Sequence, residues 1–217
     1  MKNNGRWKKI VKTLFARKVA MVSAVVVVLF IAVAILAPVI SPYDPNYADF
    51  ASFLQGPGSA HLLGTDNYGR DVLSRIIYGT RVSLIIGVFA VMIACIIGTF
   101  FGMIAGYFGG IVDDVINRIM EAIRAIPQII LAMALTAVFG SGIRNLAIIL
   151  GISSMAGYVR MMRGQVLTIK QADYIMAGKL QGNKNFRLMF KHILPNVLTP
   201  LIVIATIQVG NFILTEA

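Results

Sequence analysis

A chain of 217 residues that is 58% hydrophobic and only 13% charged has too few polar side chains to cover an apolar core in water, since soluble domains carry about 25% charged residues. Its net charge of +11 would suit a nucleic-acid ligand, but the long uncharged runs exclude that class in favour of a lipid bilayer. The one cysteine, Cys95, sits inside an apolar run, which excludes an internal disulfide and a cysteine-based metal site and leaves it as a small packing residue.

Residues 1–18 hold Lys2, Arg6, Lys8, Lys9, Lys12, Arg17 and Lys18, with Trp7, Ile10, Val11, Leu14 and Phe15 at helical spacing. The pattern predicts a short amphipathic helix on a cytoplasmic membrane face. Residues 19–40 carry no charge and match the roughly 20 residues a spanning helix needs. They outrun the ~7–15 residues of a signal core, so a first transmembrane helix is expected rather than a cleaved leader. Residues 41–81 are turn-rich and acidic-leaning, with Asp44, Asp49, Asp66 and Asp71, and read as an extracytoplasmic loop.

Residues 82–217 read as a membrane core. A second span is expected at 82–107, where Gly98, Gly102 and Gly106 bare one helix face and predict close helix packing; a sliding helix is the alternative use of such a face. Over 111–124, Ile111, Val115, Ile119 and Ile123 form a stripe, and Asp114 and Arg118 are spaced to pair. This predicts an interfacial helix leading into a short third span at 125–139 with Pro127 near its start. Gly140–Asn145 reads as a tight turn, 146–162 as the fourth span, 163–195 as a polar loop and 197–217 as the fifth span.

Most of the chain's 20 basic residues fall in 1–18 and 160–191. Four spans separate these segments, so both lie on one side, and the excess of Lys and Arg makes that side cytoplasmic. Catalytic chemistry is thin. His61 and His192 fall on opposite sides of the membrane, and neither a phosphate-binding Gly-rich loop nor a nucleophile elbow is present. No catalytic, cofactor or metal residue is therefore assigned, and the chain is read as not an enzyme. Spans one to four lack carboxylates, which weakens an ion-coupled mechanism; Glu216 falls at the far end of span five.

The 163–195 segment is the informative one. Asp173 can cap a helix continued by Tyr174, Ile175, Ala177 and Leu180, Gly182 permits a left-handed turn, and Asn183 or Asn185 can cap a second helix. Phe186, Met189, Phe190 and Ile193 stripe that helix, and Pro195 is expected to close it before span five. An amphipathic hairpin of this kind suits docking to a soluble partner; lying on the lipid surface is the alternative.

Two stretches carry a family resemblance. His61-Leu-Leu-Gly64-Thr65-Asp66-Asn-Tyr-Gly69-Arg70-Asp71, continuing through Ser74, Arg75, Gly79, Arg81 and Ser83, resembles the segment before the second span in C-type permeases of peptide ABC importers. Asp173-Tyr-Ile-Met-Ala-Gly-Lys-Leu-Gln-Gly182 followed by Ile193-Leu-Pro195-Asn196 is similar to their "EAA" loop. Met176 stands where that loop often has Glu, and Gly178 where it often has its second Ala. The resemblance covers most of residues 15–217. It implies an all-α polytopic bundle with a cytoplasmic coupling helix, in which Asp173, Tyr174, Ala177, Gly178, Gly182 and Pro195 form the ATPase-coupling segment. It further implies a second permease (a heterodimer), two cytoplasmic ABC ATPases, an extracytoplasmic solute-binding protein and a bacterial or archaeal inner membrane.

The function so implied is import of peptides or similar small solutes, the solute itself being illegible. An ion-coupled carrier or channel fragment, and a membrane scaffold recruiting a soluble enzyme, are the alternatives. Family members continue into a sixth span, so a fragment or truncated product with an outward C-terminus is expected.

Overall fold

The computed structural model describes residues 17–140 and 142–216. Residues 1–16 of the amphipathic segment expected at the N-terminus lie outside the described residues, as does the side chain of Glu216. The described residues are helical throughout their apolar runs, as a bilayer demands of backbone that must satisfy its own hydrogen bonds. They form two compact units divided between Leu84 and Ile85.

The first unit contains helix α1, Lys18–Ile40, a turn-rich loop with one 3-10 turn at Phe50–Ser52, and the start of helix α2, Val72–Phe108. Helix α1 is apolar all round and almost entirely exposed within its unit, with only Ala34 and Ala37 buried, which is the signature of a surface left to lipid or to another subunit. The loop pins the two helices at one end: the Tyr43 N–H donates to Ser74 Oγ at 3.1 Å, and the Tyr43 hydroxyl donates to the Ala60 carbonyl at 2.8 Å. Helix α2 begins at Val72 rather than at 82, so the loop ends ten residues earlier than its polar composition suggests. Arg75 and Arg81 belong to the helix's exposed first turns.

The second unit holds the rest of α2 and helices α3 (Gly110–Arg124), α4 (Gln128–Phe139), α5 (Ile143–Lys170), α6 (Asp173–Leu180) and α7 (Leu194–Glu216). A helical turn at Asn185–Arg187 and a π-helical segment at Leu188–Ile193 lead directly into α7. Helix directions follow from side-chain register. Gly98, Gly102 and Gly106 of α2 face Tyr158, Met162 and Val166 of α5 in the same order, so α2 and α5 run parallel. Gly87 faces Val209 and Ile213, while Tyr107 meets Asn185, so α2 and α7 run antiparallel.

Between two parallel spans the chain must cross back once, and α3 with α4 makes that crossing. At about 1.5 Å per residue α4 covers about 18 Å, short of a ~30 Å hydrocarbon core. The pair is bent by 83° at Pro127, whose missing N–H and fixed φ end one helix and start another. Among the described residues four helices, α1, α2, α5 and α7, are long and apolar enough to cross a membrane, and the bent pair counts as a fifth if it is one span. Gln128 Nε2 donates to Ser154 Oγ at 2.9 Å, a polar link between spans.

Three local expectations differ. The face of α3 packed against α5 is Ile116, Met120 and Ile123, not the Ile111-Val115-Ile119 row, in which Ile111 is 82% exposed. Asp113 shares the packed face, so its carboxylate takes the ion pair: Arg163 Nε and Nη2 reach it at 2.5 and 2.6 Å. Among the described residues Asp114 and Arg118 form no ion pair. Finally, α5 runs on to Lys170, so the polar segment expected from 163 begins as helix.

Candidate functional site

The hairpin after α5 is built from its buried side outward. Ile175, Leu188 and Ile193 are fully buried in one cluster with Met162, Val166, Met103 and Tyr107, which seats α6 against the ends of α2 and α5. Gly178 lies beneath Leu188, where a Cβ would come within 2.9 Å of its Cδ2. Asp173 is the first residue of α6 and makes no capping bond; its charge still suits the helix N-terminus. Ala177 faces outward, as do Tyr174 and Met176, and Leu180 is 90% exposed. The Tyr174 hydroxyl accepts from Asn196 Nδ2 at 3.3 Å, so α6 also touches the start of α7.

Gly182 has φ +76° and closes a Schellman-type cap: its N–H donates to the Lys179 carbonyl at 3.0 Å, and the Asn183 N–H to the Gly178 carbonyl at 3.1 Å. The expected asparagine caps are used differently. Lys184 occupies the N-cap of the next turn without a side-chain bond, Asn183 Nδ2 donates back to Gly178 at 3.1 Å, and Asn185 Oδ1 accepts from the Tyr107 hydroxyl at 2.9 Å. Pro195 does not close a helix. The preceding π turn, in which the Leu194 N–H reaches the Met189 carbonyl, absorbs the proline and lets the helix continue into α7. Phe186 and Phe190 stack at 5.5 Å and stay exposed.

The second predicted motif belongs to the first unit. Thr65 Oγ1 donates to the Ser52 carbonyl and accepts from the Gln55 N–H. Gly64 (φ +77°) and Gly69 (φ +72°) press on the backbone at Gln55 and Asp49, leaving no room for a Cβ. Asp66 accepts from the Tyr68 and Arg70 N–H groups and from the Arg70 and Arg75 guanidiniums. Partial burial works to raise its pKa, but these donors win and hold the carboxyl well below the usual carboxylate range. Asp71, 3% exposed, is likewise raised by burial but lowered further by the Ser74 hydroxyl and N–H and by His61, whose Nδ1 lies 3.0 Å away. Gly64, Thr65, Asp66, Gly69, Arg70 and Asp71 therefore knit one loop together.

Because both folded carboxyls are depressed, their contribution is complete above the ordinary value of 3.8 and is lost as pH falls below it. Amide exchange over 61–75, corrected for its intrinsic pH dependence, should stay slow from pH 7 to 5 and accelerate below about pH 4. Asp71→Asn should cost about 2 kcal/mol of local protection at neutral pH, the worth of hydrogen bonds to a charged acceptor. Unchanged exchange in that variant would contradict the assignment.

Sequence reasoning missed Tyr107, Lys170 and Lys179 as the residues that join the hairpin to the spans, and offered Asn185 only as a helix cap. Lys170 Nζ donates to the Tyr107 carbonyl at 2.5 Å. The Lys170 and Lys179 ammoniums lie 5.7 and 5.4 Å from the Tyr107 ring centroid. The available signal was an aromatic residue in the last turn of an apolar helix, which alone names no partner.

Residues 98–217 match the family described as "Binding-protein-dependent transport system inner membrane component", and residues 5–57 match the "N-terminal TM domain of oligopeptide transport permease C". A dipeptide transport system permease protein of Alkalihalophilus pseudofirmus is 41% identical over 97% of this chain and 69% of its own length. A glutathione transport system permease protein of Pectobacterium atrosepticum is 38% identical over 97% of this chain and 70% of its own. A dipeptide transport system permease protein of Haemophilus influenzae is 38% identical over 91% of this chain and 69% of its own.

Proposed function

Because the chain belongs to the binding-protein-dependent transport system inner membrane components, the permease subunits of ABC importers, we propose that its own cargo is a peptide or similar small solute and that residues 173–195 seat its ATPase. The family is a non-catalytic membrane component, working in general with a second permease, ATPase subunits and a substrate-binding protein. The carrier and scaffold alternatives are not favoured by these relatives. For this chain the reading is a heterodimer of permeases on two ATPases, with the N-terminus and the 173–195 hairpin cytoplasmic. The 41–71 loop then faces the solute-binding protein.

The observation that carries the coupling role is the two-sidedness of α6. Ile175 and Gly178 are buried, while Tyr174, Met176 and Leu180 are 49%, 57% and 90% exposed. A helix anchored on one side that presents Tyr174, Met176 and Leu180 beside the exposed Asp173 and Lys179 suits a partner's groove. Closure of the ATPases on ATP would push this anchored helix, and the spans attached to it would rock against the second permease. The differential affinity that drives the cycle then resides in the ATPases and binding protein, as any ligand-driven shift requires.

The test is capture of the ATPase by tagged permease in mild detergent. Leu180→Asp should lower capture roughly tenfold or more, since seating a leucine contributes about 1.5–3 kcal/mol. Equal capture by both forms would leave α6 as a helix lying on lipid and sink the coupling reading.

A further inference from the structure

We propose that Tyr107 is the joint through which movement of α6 reaches the membrane spans, an inference that rests on the coupling reading of α6. Tyr107 occupies the last turn of α2 and is 5% exposed. Three separate chain segments hold it. Its carbonyl, one of the four that a helix C-terminus leaves without an intrahelical donor, accepts from Lys170 Nζ at the end of α5. Its ring faces the Lys179 ammonium of α6, an attraction between cation and π-face. Its hydroxyl donates to Asn185 Oδ1, at the head of the helical run that becomes α7.

The placement matters as much as the number of bonds. Gly182, at φ +76°, turns the chain between α6 and Asn185, so the two segments on either side of it meet at one corner. Tyr107 touches both, through Lys179 before Gly182 and Asn185 after it. A push on α6 is therefore delivered to α2 directly and not only around the turn into α7. Gly106 adds stiffness beside it: a Cβ there would come within 2.8 Å of Val166 Cβ and 2.9 Å of the Arg163 carbonyl, so α2 and α5 are in backbone contact one residue from the joint. Displacement of Tyr107 moves two spans together. Tyr107 is a positioning residue; it needs no contact with solute or ATP.

The test compares solute moved per ATP hydrolysed in the reconstituted transporter for wild type, Tyr107→Phe, Asn185→Ala and the double variant. Tyr107→Phe keeps the ring and the carbonyl and loses only the hydroxyl. Asn185 is exposed, so the second variant approaches the same bond from the water side. Each single variant should lower the ratio about threefold to tenfold, the size expected for one hydrogen bond. The double variant should fall no further, because one bond is being removed twice. ATPase capture should stay at the wild-type level throughout, which separates a joint from a fold-stabilising contact. An unchanged ratio in Tyr107→Phe, or additive losses in the double variant, overturns the joint while leaving the coupling reading intact. Failure of the wild type itself to capture an ATPase overturns both.

Discussion

Gly102→Leu is expected to prevent α2 and α5 from closing, with the equilibrium constant for folding in mild detergent falling by more than tenfold. A Cβ at Gly102 would meet Met162 Cβ and the Val159 carbonyl, both at 2.6 Å. Neither is the free end of a flexible chain, so the helices themselves must part. Overpacking a core usually costs about 1–3 kcal/mol, and contact with backbone places this site at the top of that range. Parting also loosens Gly98 against Tyr158 and Gly106 against Val166, where van der Waals contact is the main attraction between helices in lipid. Gly157→Leu is the control. It lies on α5, exposed, with nothing within 4 Å of an added Cβ, and should be tolerated. Thermal unfolding followed by size-exclusion chromatography reads both; equal midpoints would remove the argument for close approach.

The glycine repeat was visible as a pattern because spacing by four marks one helix face whatever packs there. Its partner was not visible, since Tyr158, Met162 and Val166 are named only by the fold. The spans themselves were legible from charge-free runs, but their ends were misplaced where polar residues continue a helix. Arg75 and Arg81 made the start of α2 look like loop, and Arg163 did the same for the end of α5. Arg163 is helical because its charge is answered by Asp113 from α3, a residue fifty positions away. Local pairing rules pointed to Asp114 and Arg118 instead, because they weigh only neighbours on one helix. Pro195 was misread for a related reason. Proline normally ends a helix, and the π turn that accommodates it leaves no compositional mark.

Turn chemistry fared better: the left-handed glycine at 182 was readable because few other residues accept such a φ. That legibility makes Gly182→Val the sharper test of the coupling hairpin. With φ at +76° and nothing within 4 Å of an added Cβ, the variant meets no steric neighbour; all of its strain is in the backbone. An L-residue in this region costs about 1–2 kcal/mol, and a β-branched one is worse placed. The turn should therefore relax toward negative φ, breaking the paired bonds from Gly182 and Asn183 to the end of α6. Helix α6 would keep its seat through Ile175, yet its exposed row would turn away from the direction set by the cap. Membrane insertion, fixed by the apolar spans, should be unchanged. Transport should fall roughly tenfold or more, every 1.4 kcal/mol being a factor of ten. Gly182→Asn should retain most of the activity, since asparagine tolerates the left-handed region. Uptake by Gly182→Val at the wild-type rate would mean that the angle of this turn does not matter to coupling, and the hairpin would lose its assigned role.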